Sequence, residues 1–145
     1  FKSLAHSQGK SVTLSGNSYR KISGQDVFEL VPYTIIDNAV KYSPTGYDIS
    51  VSVADKSSST ILVVKSYGPR IESDEMISIF SRYFRAKAAI RTKNPGTGIG
   101  LNIASKIVRE VFHGDIKVIQ KDNPLNIDGF LFYETDFIVE VPSFP

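Results

Sequence analysis

The apolar residues change period near residue 45, and that change narrows the possible folds more than any other feature of the chain. Upstream, Phe28, Val31, Ile35, Ala39 and Tyr42 recur at spacings of three and four, which makes one apolar face of a helix. Downstream, Ile49, Val51 and Val53 alternate with Ser50 and Ser52, as in a half-buried strand. Asp55 to Ser59 form a polar turn, and Thr60 to Lys65 read as a second, more buried strand. A helix followed by a hairpin-like pair calls for helices packed on a sheet. Asp26, with Glu29 three residues on, is the expected helix start, in the acidic form of a capping box. Pro32 would cost roughly 3 kcal/mol inside a helix, so the helix kinks there or starts late. Ser43-Pro44-Thr45-Gly46 ends it, because the residue before a proline avoids helical angles.

The rest of the chain keeps this alternation. Val12 and Leu14 suit a short strand. Ser73 is the expected cap of a short helix with Asp74 and Glu75 in its first turn, and Ile77, Phe80 and Phe84 are expected to face the core. Residues 85–98 read as an exposed, basic, glycine-rich loop. A long helix follows from Ile99 to Phe112, with Ile103, Ile107 and Val111 on one row, Ala104, Val108 and Phe112 on the next, and Gly114 as its stop. Strands at Ile116–Ile119, Phe130–Tyr133 and Phe137–Val141 close the chain. The class is α+β, one mixed or antiparallel sheet packed on helices. With 145 residues, 41% of them apolar, the chain has room for one domain over 1–145 and one core.

The same figures exclude several classes of function. There is no cysteine, hence no disulfide framework, thiolate nucleophile or Cys-ligated metal. No apolar run approaches the eighteen or so residues of a membrane span, and the first ten residues hold no apolar signal core. A start at Phe1 rather than Met leads us to expect a piece of a longer protein. The net charge of +2 hides a gradient. Residues 76–109 carry Arg82, Arg85, Lys87, Arg91, Lys93, Lys106 and Arg109 without a single acid, and an acidic segment follows. Such a segment suits an anionic ligand, or simply a solvated helix face and loop.

Three local patterns could carry chemistry. In Asp37-Asn38-Ala39-Val40-Lys41-Tyr42, Asn38 and Lys41 share a helix face with Thr34 and Tyr42 beside Asn38. An amide carbonyl can ligate Mg²⁺, an ammonium can neutralise phosphate and a phenol ring can lie on a base, although an amphipathic helix also needs a polar stripe. In Gly96-Thr97-Gly98-Ile99-Gly100-Leu101 the glycines allow backbone N–H groups to approach phosphate oxygens. No strand runs into this segment and no Gly-Lys-Ser/Thr follows, so it is neither a dinucleotide fingerprint nor a Walker loop. Arg85, Lys87, Arg91 and Lys93 precede it, as a cationic lid over a polyphosphate or as plain surface.

In this order and spacing the patterns resemble the catalytic, ATP-binding domain of bacterial sensor histidine kinases, within the Bergerat-fold ATPases that include gyrase and the ninety-kilodalton heat-shock chaperone. DNAVKYSP matches the N box, Gly68–Ile71 stands at the G1 box, Ile79–Arg85 matches the F box and GTGIGLNIASKIV the G2 box, over residues 10–141. The resemblance implies a five-stranded mixed sheet backed by three helices, with ATP held under a mobile lid. It also implies Asn38 on Mg²⁺, Lys41 on the phosphates and Tyr42 in the nucleotide pocket. Arg82 or Arg85 would stand at the base of the lid, with Gly96, Gly98 and Gly100 hinging it and Thr97 and Leu101 within the same motif. No residue of the domain would be a nucleophile; His6 and His113 are expected to be surface and helix-end residues. The γ-phosphoryl group would pass to a histidine on a separate dimerisation domain and then to a response regulator. The parent would be a homodimer with this domain in the cytoplasm, anchored in the inner membrane, and would bind no nucleic acid.

The G1 box departs from the family pattern. Ser66 stands where the family has an aspartate that accepts the adenine amino group, and Arg70 stands in place of the second glycine. Loss of a charged acceptor removes about 1.5–3 kcal/mol, roughly ten- to hundredfold in affinity. Arg70 would either fill part of the adenine site or point outward. Thr34 cannot act as a general base, which disfavours the hydrolytic branch. The alternative to an active kinase domain is a degenerate one kept as a regulatory interaction module.

Overall fold

The computed structural model describes residues 2–24, 26–92, 94 and 96–145, and every structural statement below concerns these. After a short helix α1 (Lys2–Ser7), strand β1 (Ser11–Ser15) opens the sheet. The first long helix, α2, runs Leu30–Tyr42 behind a 3-10 turn at Asp26–Glu29. It therefore starts late. The expected capping box at Asp26 is absent, since Glu29 holds the cap position without a side-chain bond. Pro32 falls in the first turn, where N–H groups have no intrahelical acceptor and a missing one costs nothing. At the other end Ser43 is extended, at φ −71 and ψ 147, as the following proline requires.

Strands β2 (Asp48–Asp55) and β3 (Ser59–Gly68) form the expected antiparallel pair. Next come 3-10 turns at Ser73–Glu75 and Ser78–Phe80. The first is capped by Glu72, not Ser73: Glu72 and Glu75 exchange side-chain-to-backbone bonds. Ile79 and Phe80 are buried, whereas Ile77, expected inside, is 83% exposed. A turn of 3-10 helix has no four-residue period, so the inward set shifts along the chain. Within the expected loop lies a short helix, α3 (Lys87–Arg91), whose Ala89 is buried.

Helix α4 (Gly100–Lys106) continues into a π turn over Ile107–Val111. Ala104, Ile107, Val108 and Phe112 are buried, but Ile103 is 44% exposed, against expectation. The residue that ends this helix in the left-handed region is His113, at φ 56, rather than Gly114. Gly114 has a packing role, because a Cβ there would lie 2.2 Å from the Glu140 carbonyl oxygen.

Strands β4 (Asp115–Gln120), β5 (Leu125–Ile127) and β6 (Phe130–Pro142) complete the sheet. The two closing strands expected at Phe130–Tyr133 and Phe137–Val141 are one. Polar Glu134, Thr135 and Asp136 do not break it, since β3 pairs along this stretch and β4 joins from Thr135. β5 forms a small hairpin with β6 through Asp128-Gly129, both at positive φ, the signature of a tight two-residue hairpin turn. The sheet order is β1-β2-β3-β6-β4 with β5 beside β6; β1–β2 is parallel and the other pairs are antiparallel. The architecture is a mixed sheet with helices packed on one face, the α+β sandwich expected from the sequence.

The register explains where the site lies. Leu14, Val51, Val64, Phe137 and Val118 stand opposite one another across five strands, and Val51, Val64 and Val118 are buried in the core with Val31, Ile35 and Val40 of α2. Two residues along, on the same face, the row reads Ser66, Thr135, Gln120. The apolar inner face thus ends in a polar row beside α2 and α4.

Candidate functional site

A cavity of about 290 Å³ opens where that polar row meets the helices. Its sheet wall holds Ser66, Thr135 and Phe137, with Pro69 and Ile71 from the loop after β3. Its helical wall holds Thr34, Asp37, Asn38, Lys41 and Tyr42 from α2, and Leu101 from α4. Arg85, Ala86, Ala89, Gly96, Thr97, Gly98 and Gly100 close the remaining side. One apolar wall bearing neutral hydroxyls thus faces a wall with two cations, the Asp37 carboxylate and exposed backbone.

The helical wall follows from local sequence. Thr34, Asn38 and Lys41 lie three and four residues apart, so one face of α2 presents them together. Among the described residues the Asn38 amide has no hydrogen-bond partner, and Lys41 Nζ lies 5.7 Å from the centroid of the Tyr42 ring. Arg85 joins this wall to the closing segment: Nη2 donates to Tyr42 Oη at 3.0 Å and to the Asn94 carbonyl at 2.9 Å. Gly98, at φ +72, permits the closest approach. The Tyr83 N–H donates to its carbonyl at 2.7 Å, and a Cβ on Gly98 would lie 2.5 Å from the Tyr83 carbonyl carbon.

The sheet wall is fixed by one side chain. Gln120 Oε1 accepts from the Ile71 N–H at 3.0 Å, while Nε2 donates to the Pro69 carbonyl at 2.8 Å and to Thr135 Oγ1 at 2.9 Å. The loop after β3 is thereby clamped to β4 and β6. Farther out, Glu75, 3% exposed, accepts from the Glu72 and Lys87 N–H groups, each at 2.9 Å, and ties the 3-10 turn to the start of α3.

Most residues singled out in the sequence meet in this cavity: Asn38, Lys41, Tyr42, Ser66, Arg85, Gly96, Thr97, Gly98, Gly100 and Leu101. Three do not line it. Arg70 points away; its guanidinium lies 4.8 Å from the Tyr133 ring centroid and pairs with Glu72 at 3.7 Å and Asp122 at 3.6 Å. Gly68, at the end of β3, has no side chain to present, and Arg82 lies over the Tyr83 ring at 4.8 Å. The basic segment is likewise divided. Arg109 pairs with Asp115 at 3.3 Å, Lys87 and Arg91 are exposed, and Lys93 lies outside the described residues.

Sequence reading missed Asp37, Pro69, Ile71, Ala86, Ala89, Thr135 and Phe137 as lining residues. Asp37 could have been read from its place one turn before Lys41 on the same helix. Thr135 and Phe137 carry no local signal, since only strand pairing brings β6 beside Ser66.

Residues 25–143 match the family model described as histidine kinase-, DNA gyrase B- and HSP90-like ATPase. The chain is 32% identical over 108 residues to the probable sensor kinase SilS of Salmonella typhimurium, covering 74% of this chain and 20% of that one. It spans about a fifth of the length of the curated relatives it matches. Among solved structures, the mycobacterial sensor histidine kinase MprB superposes with a TM-score of 0.70 at 25% identity, over 94% of this chain and 82% of that one. The nucleotide-free catalytic domain of histidine kinase ThkA gives a TM-score of 0.78 at 22% identity, over 100% of this chain and 88% of that one; ThkA has also been solved with the response regulator protein TrrA. With the family model covering most of its length, the chain belongs to the histidine kinase-, DNA gyrase B- and HSP90-like ATPase family.

Proposed function

We propose that the cavity binds ATP with Mg²⁺ and that the domain passes the γ-phosphoryl group to a histidine on a separate dimerisation domain, as the catalytic part of a sensor histidine kinase. The observation that carries this reading is the pairing, in one cavity, of an apolar wall with a wall of Lys41, Arg85, glycine backbone and an unpartnered Asn38 amide. Phosphoryl transfer needs positioning and charge neutralisation more than covalent chemistry from the protein. Lys41 and Arg85 supply fixed positive charge, and Gly96, Gly98 and Gly100 let backbone come close to phosphate oxygens.

The residues fit Mg²⁺. Among the described residues no group of three or more His, Cys, Asp or Glu could hold a metal, so a preformed all-protein cage is not on offer. A single amide oxygen, that of Asn38, suits an ion that keeps its waters and arrives with the phosphates. Held by Asn38, Mg²⁺ would supply positive charge to the phosphates. Thr34, in the same wall, has no proton-accepting power at neutral pH, which favours transfer over hydrolysis.

The partners that follow are the histidine-bearing domain of the same protein, working as a homodimer, and a receiver domain; ThkA's complex with TrrA supports the latter. Because ATP is the substrate, we put the domain on the cytoplasmic side. No helix among the described residues is long and apolar enough to cross a membrane.

The test is calorimetric titration of the chain with an unhydrolysable ATP analogue, with and without Mg²⁺. Micromolar to sub-millimolar binding that strengthens with Mg²⁺ is expected, and Asn38→Ala should lose about tenfold, largely from the Mg²⁺-dependent part. Absence of binding, restored by Ser66→Asp, would instead indicate a degenerate interaction module.

A further inference from the structure

In the cross-strand row Ser66, Thr135, Gln120 the protons of Gln120 and Thr135 are fixed while that of Ser66 is free, and the difference bears on which base the cavity takes. Gln120 cannot be flipped. Its Oε1 meets the Ile71 N–H, which can only donate, and its Nε2 meets the Pro69 carbonyl, which can only accept. The same Nε2 therefore donates to Thr135 Oγ1 at 2.9 Å. The Thr135 proton goes to the Tyr133 carbonyl at 2.9 Å. Thr135 has one lone pair left and can only accept.

Ser66 differs. It stands directly opposite Thr135 in the ladder, is 6% exposed and lines the cavity. Among the described residues its hydroxyl has no hydrogen-bond partner. A hydroxyl is one donor and two acceptors on a free rotor. An ionised carboxylate in its place could only accept, which selects a base with an amino group at that edge and repels one with a carbonyl.

Serine fits both kinds. With adenine, its proton goes to ring N1 while its oxygen accepts from the 6-amino group. With a 6-oxopurine, its proton goes to O6 while its oxygen accepts from the N1–H. Neither arrangement leaves the Ser66 hydroxyl or the purine edge it faces unpaired, and unpaired groups are what give strong rejection at hydrogen-bonding sites.

We infer that Ser66 removes the adenine selectivity of this cavity, so that 6-oxopurine nucleotides such as inosine and guanosine triphosphates bind alongside ATP. This deepens the nucleotide reading above and rests on it. The test compares Mg²⁺-AMPPNP with the inosine analogue of the same β,γ-imido triphosphate, by calorimetry, on the natural chain, Ser66→Asp and Ser66→Ala. The natural chain should bind the two within about thirtyfold of each other. Ser66→Asp should keep the adenosine nucleotide and lose the inosine one by a further hundredfold or so, the upper end for a single unpaired buried polar group. Ser66→Ala, the safer variant for folding, should weaken both by about tenfold. Adenosine binding with inosine more than about thirtyfold weaker overturns the inference and spares the nucleotide reading. An unchanged pair of affinities in Ser66→Ala overturns it too, because the hydroxyl would then not meet the base. Binding of neither nucleotide overturns both.

Discussion

Gly98 shows what a single backbone position can decide. Its φ of +72 lies in the left-handed region, and its missing Cβ leaves room for the Tyr83 backbone. An alanine there pays about 1–2 kcal/mol for the conformation alone, and the 2.5 Å approach to Tyr83 adds to it. Gly98→Ala should therefore lower the melting temperature and weaken nucleotide binding together, as checked by thermal unfolding and titration of the same sample. The sequence marked this residue through its place in a run of three glycines. It could not settle Arg70, whose two possible directions follow from the same local residues. The outward direction depends on Tyr133 and Asp122, brought close by β6 and the turn after β4.

Among elements, the loop after β3 is the one held least by its own sequence. Pro69 and Ile71 line the cavity, yet the bonds that position them come from Gln120, at the end of β4. Gln120→Leu keeps the bulk and leaves the buried Pro69 carbonyl and Ile71 N–H without partners. Each such group costs about 1–3 kcal/mol, so urea unfolding should show a clear loss of stability. Hydrogen exchange at the Ile71 amide should speed up more than at core strand positions, where the ladder is untouched. Helix α2, by contrast, was legible down to its C-terminal end, because its period and the Ser43-Pro44 stop are local. At its start Pro32 pointed to the late beginning at Leu30, but the expected cap at Asp26 failed, since an acidic pair three apart marks a 3-10 turn as readily as a capping box.

Over the whole molecule, helices cover one face of the sheet, and the other carries a charged cluster. Glu134 pairs with Lys121 at 2.8 Å and with Lys65 at 3.6 Å, and the Lys121 ammonium holds its carboxyl below the usual range. Asp136 goes the other way. Burial pushes its carboxyl up, against the attraction of Lys65, and its buried Oδ1 has no partner among the described residues. A raised pKa in the folded state means that the folded chain binds more protons than the unfolded one between the ordinary and the raised value. Stability therefore falls as pH rises through that window. Asp136→Asn should be more stable than the natural chain at pH 7, with the advantage fading as pH drops and gone below about 3.9. Denaturant midpoints for both proteins across the acid range would check this. A constant difference would leave the burial account without support. Much of the molecule was written in the sequence alone: the α+β alternation, the Asn38–Tyr42 face and the glycine run each rest on periods of two to four residues, which a chain carries locally. The tertiary structure alone decided the rest. Ser66, Thr135 and Gln120 become one row only when β3, β6 and β4 pair in register, and pairing between distant segments is set by the packed core.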